Sequence, residues 1–124
     1  TRLYVNELAM RPHNTGHWTQ DGAVTSQFEQ HLRAVLDLPL GDASALAEVS
    51  VMKNYLGGEH DDIFGVYPLA FSAEPRAKIH FYGKEPRPGR KIGHVNVTGG
   101  AHELEQLRHI AANAASILRD GRPL

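Results

Sequence analysis

The chain has 124 residues, 13 basic and 14 acidic side chains, and a net charge of −1, so it is one small domain at most. With 41% hydrophobic and 22% charged residues it is not a disordered chain. No apolar run approaches the ~18 residues of a membrane helix, and the opening residues lack a signal-peptide stretch. The absence of cysteine excludes disulfides, a thiol nucleophile and a cysteine zinc site, and fits a cytoplasmic protein.

The near-neutral total hides an asymmetry. Residues 1–62 carry four basic and nine acidic side chains, and residues 63–124 carry nine basic and five acidic. The basic excess gathers at Arg76, Lys78, Lys84, Arg87, Arg90 and Lys91, which face Glu85 alone. A local cationic site suits a small anionic ligand; a nucleic acid needs a broader basic face.

Leu3-Tyr4-Val5-Asn6-Glu7-Leu8-Ala9 predicts a strand, so the chain reads as a piece that opens inside one. Met10 to Ala23 predicts loop, rich in Pro, His, Asn, Gly and Thr. Ser26 and Glu29 form a capping-box pattern, with Phe28, Leu32, Val35 and Leu36 on one helical face and Pro39 and Gly41 as the stop. Ala47 to Leu56 predicts a strand ended by Gly57-Gly58. Residues 59–75 are apolar in part but interrupted by Gly65 and Pro68, and stay unassigned. Lys78–Tyr82 and Ile92–Val97 predict strands joined by a long hairpin-type loop, 83–91. Leu104, Leu107, Ala111, Ala114 and Leu118 predict a helix stopped by Gly121, its alanines suited to close packing on a sheet. The order predicts an α+β fold with mixed or antiparallel strands.

Three groups carry candidate chemistry. If the first strand persists through Pro12, Glu7, Arg11 and His13 share one face, because side chains alternate with period two. Glu7 then suits Mg²⁺, Arg11 a bicarbonate, carboxylate or phosphate, and His13 a hydrogen bond or proton transfer to an anion. The same spacing fits a Glu–Arg ion pair at a strand end. His13 and His17 have zinc spacing for a helix, but Pro12, Asn14 and Gly16 oppose one, and a backbone-lined anion pocket fits better. In loop 83–91, Gly83 and Gly89 allow close backbone approach while Pro86 and Pro88 stiffen it; its cations can surround a phosphate or form a solvated turn. His80 and His94 fit structural strand histidines better than catalysts.

These segments resemble a known family. Val5-Asn6-Glu7-Leu8-Ala9-Met10-Arg11-Pro12-His13-Asn14-Thr15-Gly16-His17-Trp18-Thr19, then Thr25–Arg33, then Tyr82–His94 are similar, in order, to the signature of 5-(carboxyamino)imidazole ribonucleotide synthetase. This is the ATP-grasp ligase of purine biosynthesis, also called the ATPase subunit of phosphoribosylaminoimidazole carboxylase. The resemblance covers essentially this whole chain but about the last third of such an enzyme. It implies that residues 1–40 are the tail of the ATP-grasp domain and residues 41–124 the small C-terminal domain. It implies ATP, bicarbonate and 5-aminoimidazole ribonucleotide as substrates, Mg²⁺ with the ATP, a homodimer, and a fragment inactive on its own. By resemblance Asn6 and Glu7 hold metal, Arg11 and His13 are catalytic, and Asn14, Lys84, Arg87, Arg90 and Lys91 bind the ribonucleotide. Met10 stands where the family usually has Pro, and Thr15 where it usually has Ser. Lys53 is unusual in its strand and leaves a ligand role for the adjacent Asn54 open. The rival reading is a free-standing domain, without catalysis, that binds a phosphorylated metabolite or a partner protein.

Overall fold

The computed structural model describes residues 2–58 and 62–124. Residues 59–61, the start of the unassigned stretch, lie outside them. The elements are a 3-10 turn at Asn14–Gly16, α1 (Thr19–Gly22), α2 (Gln27–Val35), β1 (Val49–Leu56), α3 (Tyr67–Ala73), β2 (Lys78–Phe81), β3 (Lys91–Gly99), a 3-10 turn at Ala101–Glu103 and α4 (Leu104–Asp120). The fold is α+β, with β1, β3 and β2 in that spatial order and both pairings antiparallel.

Each element has a local cause. Ser26 Oγ accepts from Glu29 N–H at 3.2 Å, capping α2 as the sequence predicts. α2 ends before its predicted stop, because the chain turns at Leu36 and Asp37 takes a φ of 54°. Pro68 opens α3, where its missing N–H costs nothing. Gly121 closes α4 with a φ of 70°.

The sheet has two unlike faces. Val51 and Tyr55 of β1, Val95 and Val97 of β3, and Ile79 and Phe81 of β2 point to one face. There they meet Leu107, Ile110, Ala111, Ala114, Ile117 and Leu118 of α4, with Ala70 of α3 in the same core. Cross-strand partners share a face, so Ser50, Met52 and Asn54 point the other way, with His94, Asn96, Thr98 and His80. That polar face is covered by the chain from His13 to Ala23. A Cβ on Gly22 would stand 2.3 Å from Ser50 Oγ, so only glycine lets α1 settle this closely on β1. With both faces covered, β3 is buried from Ile92 through Val97.

Two expectations are corrected. The predicted strand at Leu3–Ala9 is not formed, and Leu3, Val5 and Leu8 are 87–95% exposed. A strand needs a ladder partner, and among the described residues none lies beside this segment. The predicted loop from Met10 to Ala23 contains a 3-10 turn and α1. The apolar stripe of α2 does specify a helix, but Leu32, Val35 and Leu36 stay 60–67% exposed, since no described residues cover them.

Candidate functional site

The site forms where loop 13–17 and the basic loop meet over the β1 and β3 ends of the polar face. Glu7 and His13 do come together, His13 Nε2 lying 2.5 Å from Glu7 Oε1. Strand alternation is not the reason. Six residues of strand would separate them by about 20 Å, whereas here the chain bends at Met10 and Arg11. Among the described residues Arg11 hydrogen-bonds to neither member of the pair. Its guanidinium donates to Pro12 O at 3.1 Å and borders a hollow of about 790 Å³ shared with Trp18, Gln30 and Leu40. Asn6 and Glu7 border a different hollow, of about 350 Å³, with His13 and Thr15.

The His13 ring is oriented from both sides. Thr15 N–H donates to Nδ1 at 3.3 Å and Thr15 Oγ1 lies 2.8 Å from it, which leaves the Nε2 proton for Glu7. Gln27, the first residue of α2, holds the loop. Its Oε1 accepts from His13 N–H at 2.9 Å; its Nε2 donates to His13 O at 2.7 Å and to His17 Nδ1 at 2.6 Å. Burial, then the nearby Lys91, lower the His17 pKa, which keeps its ring neutral and able to accept.

In the basic loop, Gly83 and Gly89 have φ of 66° and 74° with open space where a Cβ would stand. They supply left-handed turns rather than close approach, which corrects the sequence reading. The close approach is at Gly57, where a Cβ would lie 2.3 Å from Arg87 O. Gly57 N–H donates to Arg90 O at 2.7 Å and Gly89 N–H donates to Gly57 O at 3.1 Å, pinning the loop to the end of β1.

The four loop cations are placed differently. Lys84 Nζ sits 5.5 Å from the centre of the Tyr82 ring. Arg87 pairs with Glu85 at 2.8 Å, and Arg90 donates to Glu85 O at 3.3 Å. Lys91 Nζ donates to Asn14 Oδ1 at 3.2 Å and so joins the two loops. Asn14 is also bonded to Asn54 in both directions, at 2.9 and 3.0 Å. Lys53 points to the opposite face and borders a hollow with Lys91 and Arg119.

Beneath the loops lies a cluster that spacing does not reveal. His80 Nε2 lies 2.7 Å from Asp21 Oδ2, and Asn96 Nδ2 donates to the same oxygen at 2.7 Å. The His80 and His94 rings stack at 4.6 Å, and His94 Nδ1 lies 2.7 Å from the Tyr82 hydroxyl. His94 is 1% exposed, and burial, then the nearby His80 and His17, push its pKa down to about 4. Ser50 Oγ, His94 Nε2 and Asn96 Oδ1 are buried without a hydrogen-bond partner among the described residues. Both strand histidines are thus held in a structural network. Gln27, Asp21 and Tyr82 are polar residues to which the sequence alone assigned no individual role, and for Asn54, whose ligand role it left open, it did not show the pairing with Asn14. The period-two run Ser50, Met52, Asn54, set against His94, Asn96, Thr98, is the signal for a second covered face. Among the described residues no cluster of three or more His, Asp or Glu could hold a metal.

Residues 50–109 match the phosphoribosylaminoimidazole carboxylase C-terminal domain, and residues 1–28 match the ATP-grasp domain. The chain is 54% identical over 123 residues to N5-carboxyaminoimidazole ribonucleotide synthase of Mycobacterium tuberculosis, covering 97% of this chain and 28% of that protein. The crystal structure of the synthetase from Thermotoga maritima aligns with a TM-score of 0.73 at 41% identity, over 90% of this chain and 31% of that one. An Aspergillus clavatus synthase in complex with ADP and 5-aminoimidazole ribonucleotide aligns with a TM-score of 0.69 at 37% identity, over 87% of this chain and 29% of that one. The chain spans somewhat over a quarter of the length of the curated relatives it matches. By sequence and fold together it belongs to the N5-carboxyaminoimidazole ribonucleotide synthase family, as the C-terminal region with the end of the ATP-grasp domain followed by the small C-terminal domain.

Proposed function

We propose that this chain supplies the carboxylating and ribonucleotide-binding end of an ATP-dependent ligase acting on 5-aminoimidazole ribonucleotide and bicarbonate. The observation that carries the reading is the Lys91–Asn14 hydrogen bond. It joins the loop that bears His13 to the loop that bears Lys84, Arg87 and Arg90, so an anion and a phosphate can be held side by side. In the reaction a bicarbonate oxygen takes the γ-phosphoryl group of ATP, giving carboxyphosphate and ADP. The ribonucleotide amine then forms a bond to the carboxyl carbon, phosphate leaves, and the amine gives up a proton.

Each residue has a physical task on this reading. Arg11 offers a planar fork of donors to the carboxyl or phosphoryl oxygens, its guanidinium hydrogen-bonded to the Pro12 carbonyl. Fixed positive charge there lowers the energy of carboxyphosphate as negative charge accumulates. His13, with Nε2 directed at Glu7, can pass a proton between that carboxylate and the reacting group. Lys84, Arg87, Arg90 and Lys91 hold the ribose phosphate, whose binding energy positions the amine. The Asn6 amide oxygen and Glu7 carboxylate are hard donors that suit Mg²⁺ as two of its ligands, and the ion would neutralise charge on the nucleotide phosphates.

Residues 1–40 then close the ATP-grasp domain and residues 41–124 form the small domain of a cytoplasmic, homodimeric enzyme. The 124 residues alone do not turn over on this reading, because they hold 28 residues of the ATP-grasp match. Among the described residues, no helix is long and apolar enough to cross a membrane. The test is ADP release by the full-length protein with each substrate omitted in turn. The expected result is release that requires both bicarbonate and ribonucleotide, with labelled bicarbonate carbon entering the ribonucleotide. ADP release that ignores the ribonucleotide contradicts the reading.

A further inference from the structure

Asn14 and Asn54 form a closed amide pair across 40 residues of sequence. Asn14 Nδ2 donates to Asn54 Oδ1 at 2.9 Å, and Asn54 Nδ2 donates back to Asn14 Oδ1 at 3.0 Å. The same Asn14 Oδ1 accepts from Lys91 Nζ at 3.2 Å. An amide oxygen has two lone pairs, so both are occupied, one by the strand and one by the lysine. The two partners are mounted differently. Asn54 stands on β1 opposite His94, in a paired ladder. Asn14 opens a 3-10 turn in a loop. The strand-borne partner therefore fixes the position and the rotation of the loop-borne one.

The consequence reaches the basic loop through Lys91, which otherwise has a long flexible stem. Its anchor on Asn14 sets how far the phosphate-binding cations stand from His13. We propose that Asn54 is a positioning residue that, through its amide pair with Asn14, fixes the spacing between the loop that handles the carboxyl group and the loop that holds the phosphate. This rests on the functional reading above. Asn54 acts through Asn14 and Lys91 and needs no contact with substrate. The pair requires a donor and an acceptor on each side, so a carboxylate at position 54 keeps the shape but loses the returning hydrogen bond.

The experiment is steady-state turnover of the full-length enzyme carrying Asn54→Ala, Asn14→Ala, both, or the isosteric Asn54→Asp. Asn54→Ala is expected to lower kcat roughly tenfold or more, because misplacing reacting groups slows the chemical step. The ATP KM is expected to stay within about twofold, since a pure positioning loss acts on the transition state. The double variant is expected to be no slower than Asn14→Ala alone, because both act through one pair. Asn54→Asp keeps the volume if Asn54→Ala fails to fold, and is expected to show the same loss of kcat with a wild-type melting temperature. A lowered melting temperature with unchanged kcat, or losses that multiply in the double variant, overturns the positioning role. A wild type without ribonucleotide-dependent turnover overturns both the functional reading and this inference. A wild type that turns over beside unchanged Asn54 variants overturns this inference alone.

Discussion

The two faces of the sheet use the same three strands for different ends. The face under α4 is built mostly from Val, Ile, Leu and Ala side chains, with Tyr55 the one fully buried side chain there that carries a polar atom, its hydroxyl without a partner among the described residues. Their contribution follows from area removed from water and does not depend on pH. The face under residues 13–23 is built from Ser50, Asn54, His80, His94 and Asn96, of which all but Ser50 hydrogen-bond to a side chain or backbone oxygen outside the sheet. Burying such groups costs free energy unless each is paired. Three of their atoms find no partner among the described residues. That face is therefore poorly suited to stabilise the fold and well suited to hold two loops in a set geometry. Burial alone does not show what a residue is for: His94 and Val95 are adjacent, both almost wholly buried, and differently employed.

On the apolar face, Ile117→Ala removes a fully buried side chain facing the sheet and is expected to cost about 2–5 kcal/mol. Denaturant unfolding would measure it, and a loss under about 1 kcal/mol would show that α4 contributes little to the core.

The next largest effect lies on the polar face and depends on pH. An unfolded histidine titrates near 6.5, and the folded His94 at about 4 because it is buried beside His80 and His17, with Asp21 opposing. Between those values the unfolded chain binds the extra proton. Stability is then whole above pH 6.5 and falls as the pH drops toward 4, by about 3 kcal/mol. The difference between wild type and His94→Gln in denaturant midpoint, read at pH 7 and at pH 4.5, isolates this group. A difference that does not change with pH would place His94 in a solvated setting.

The smallest expected effect concerns binding. Lys84→Ala is expected to raise the ribonucleotide KM about tenfold, or about 1.4 kcal/mol, with little change in melting temperature. An unchanged KM would remove Lys84 from the phosphate site.

Much of the fold is legible in the sequence. The valines of β1 and β3, the Ser26–Glu29 cap and the α4 stripe each state their structure locally. What was not legible depended on distant partners. Leu3–Ala9 has the composition of a strand, but composition does not supply the neighbouring strand a ladder needs. The second buried face was written in the alternation of β1 and β3, yet a polar face ordinarily reads as a solvated one. At the site, the motifs brought Glu7, His13, Asn14, Lys84 and Lys91 into view, because their residue types are chemically distinctive. Their geometry was not visible: strand alternation placed Arg11 on one face with Glu7 and His13, whereas past the bend at Met10 it borders a different hollow from theirs. The partners of Asn54 and Gln27 were hidden for another reason. Both residues act by hydrogen-bonding to loop residues 40 and 14 positions away, and no local pattern records that.

The most direct test of the division of labour is ribonucleotide-dependent ADP release by full-length Arg11→Ala, with its melting temperature taken on the same sample. Arg11 is exposed and its side-chain hydrogen bond is to the neighbouring Pro12 carbonyl, so the melting temperature is expected to match wild type. Turnover is expected to fall roughly a hundredfold, as it does when one charge-stabilising donor is removed from a reacting centre. Turnover near the wild-type rate at an unchanged melting temperature would contradict the account, because the loop face would then carry no chemistry through Arg11.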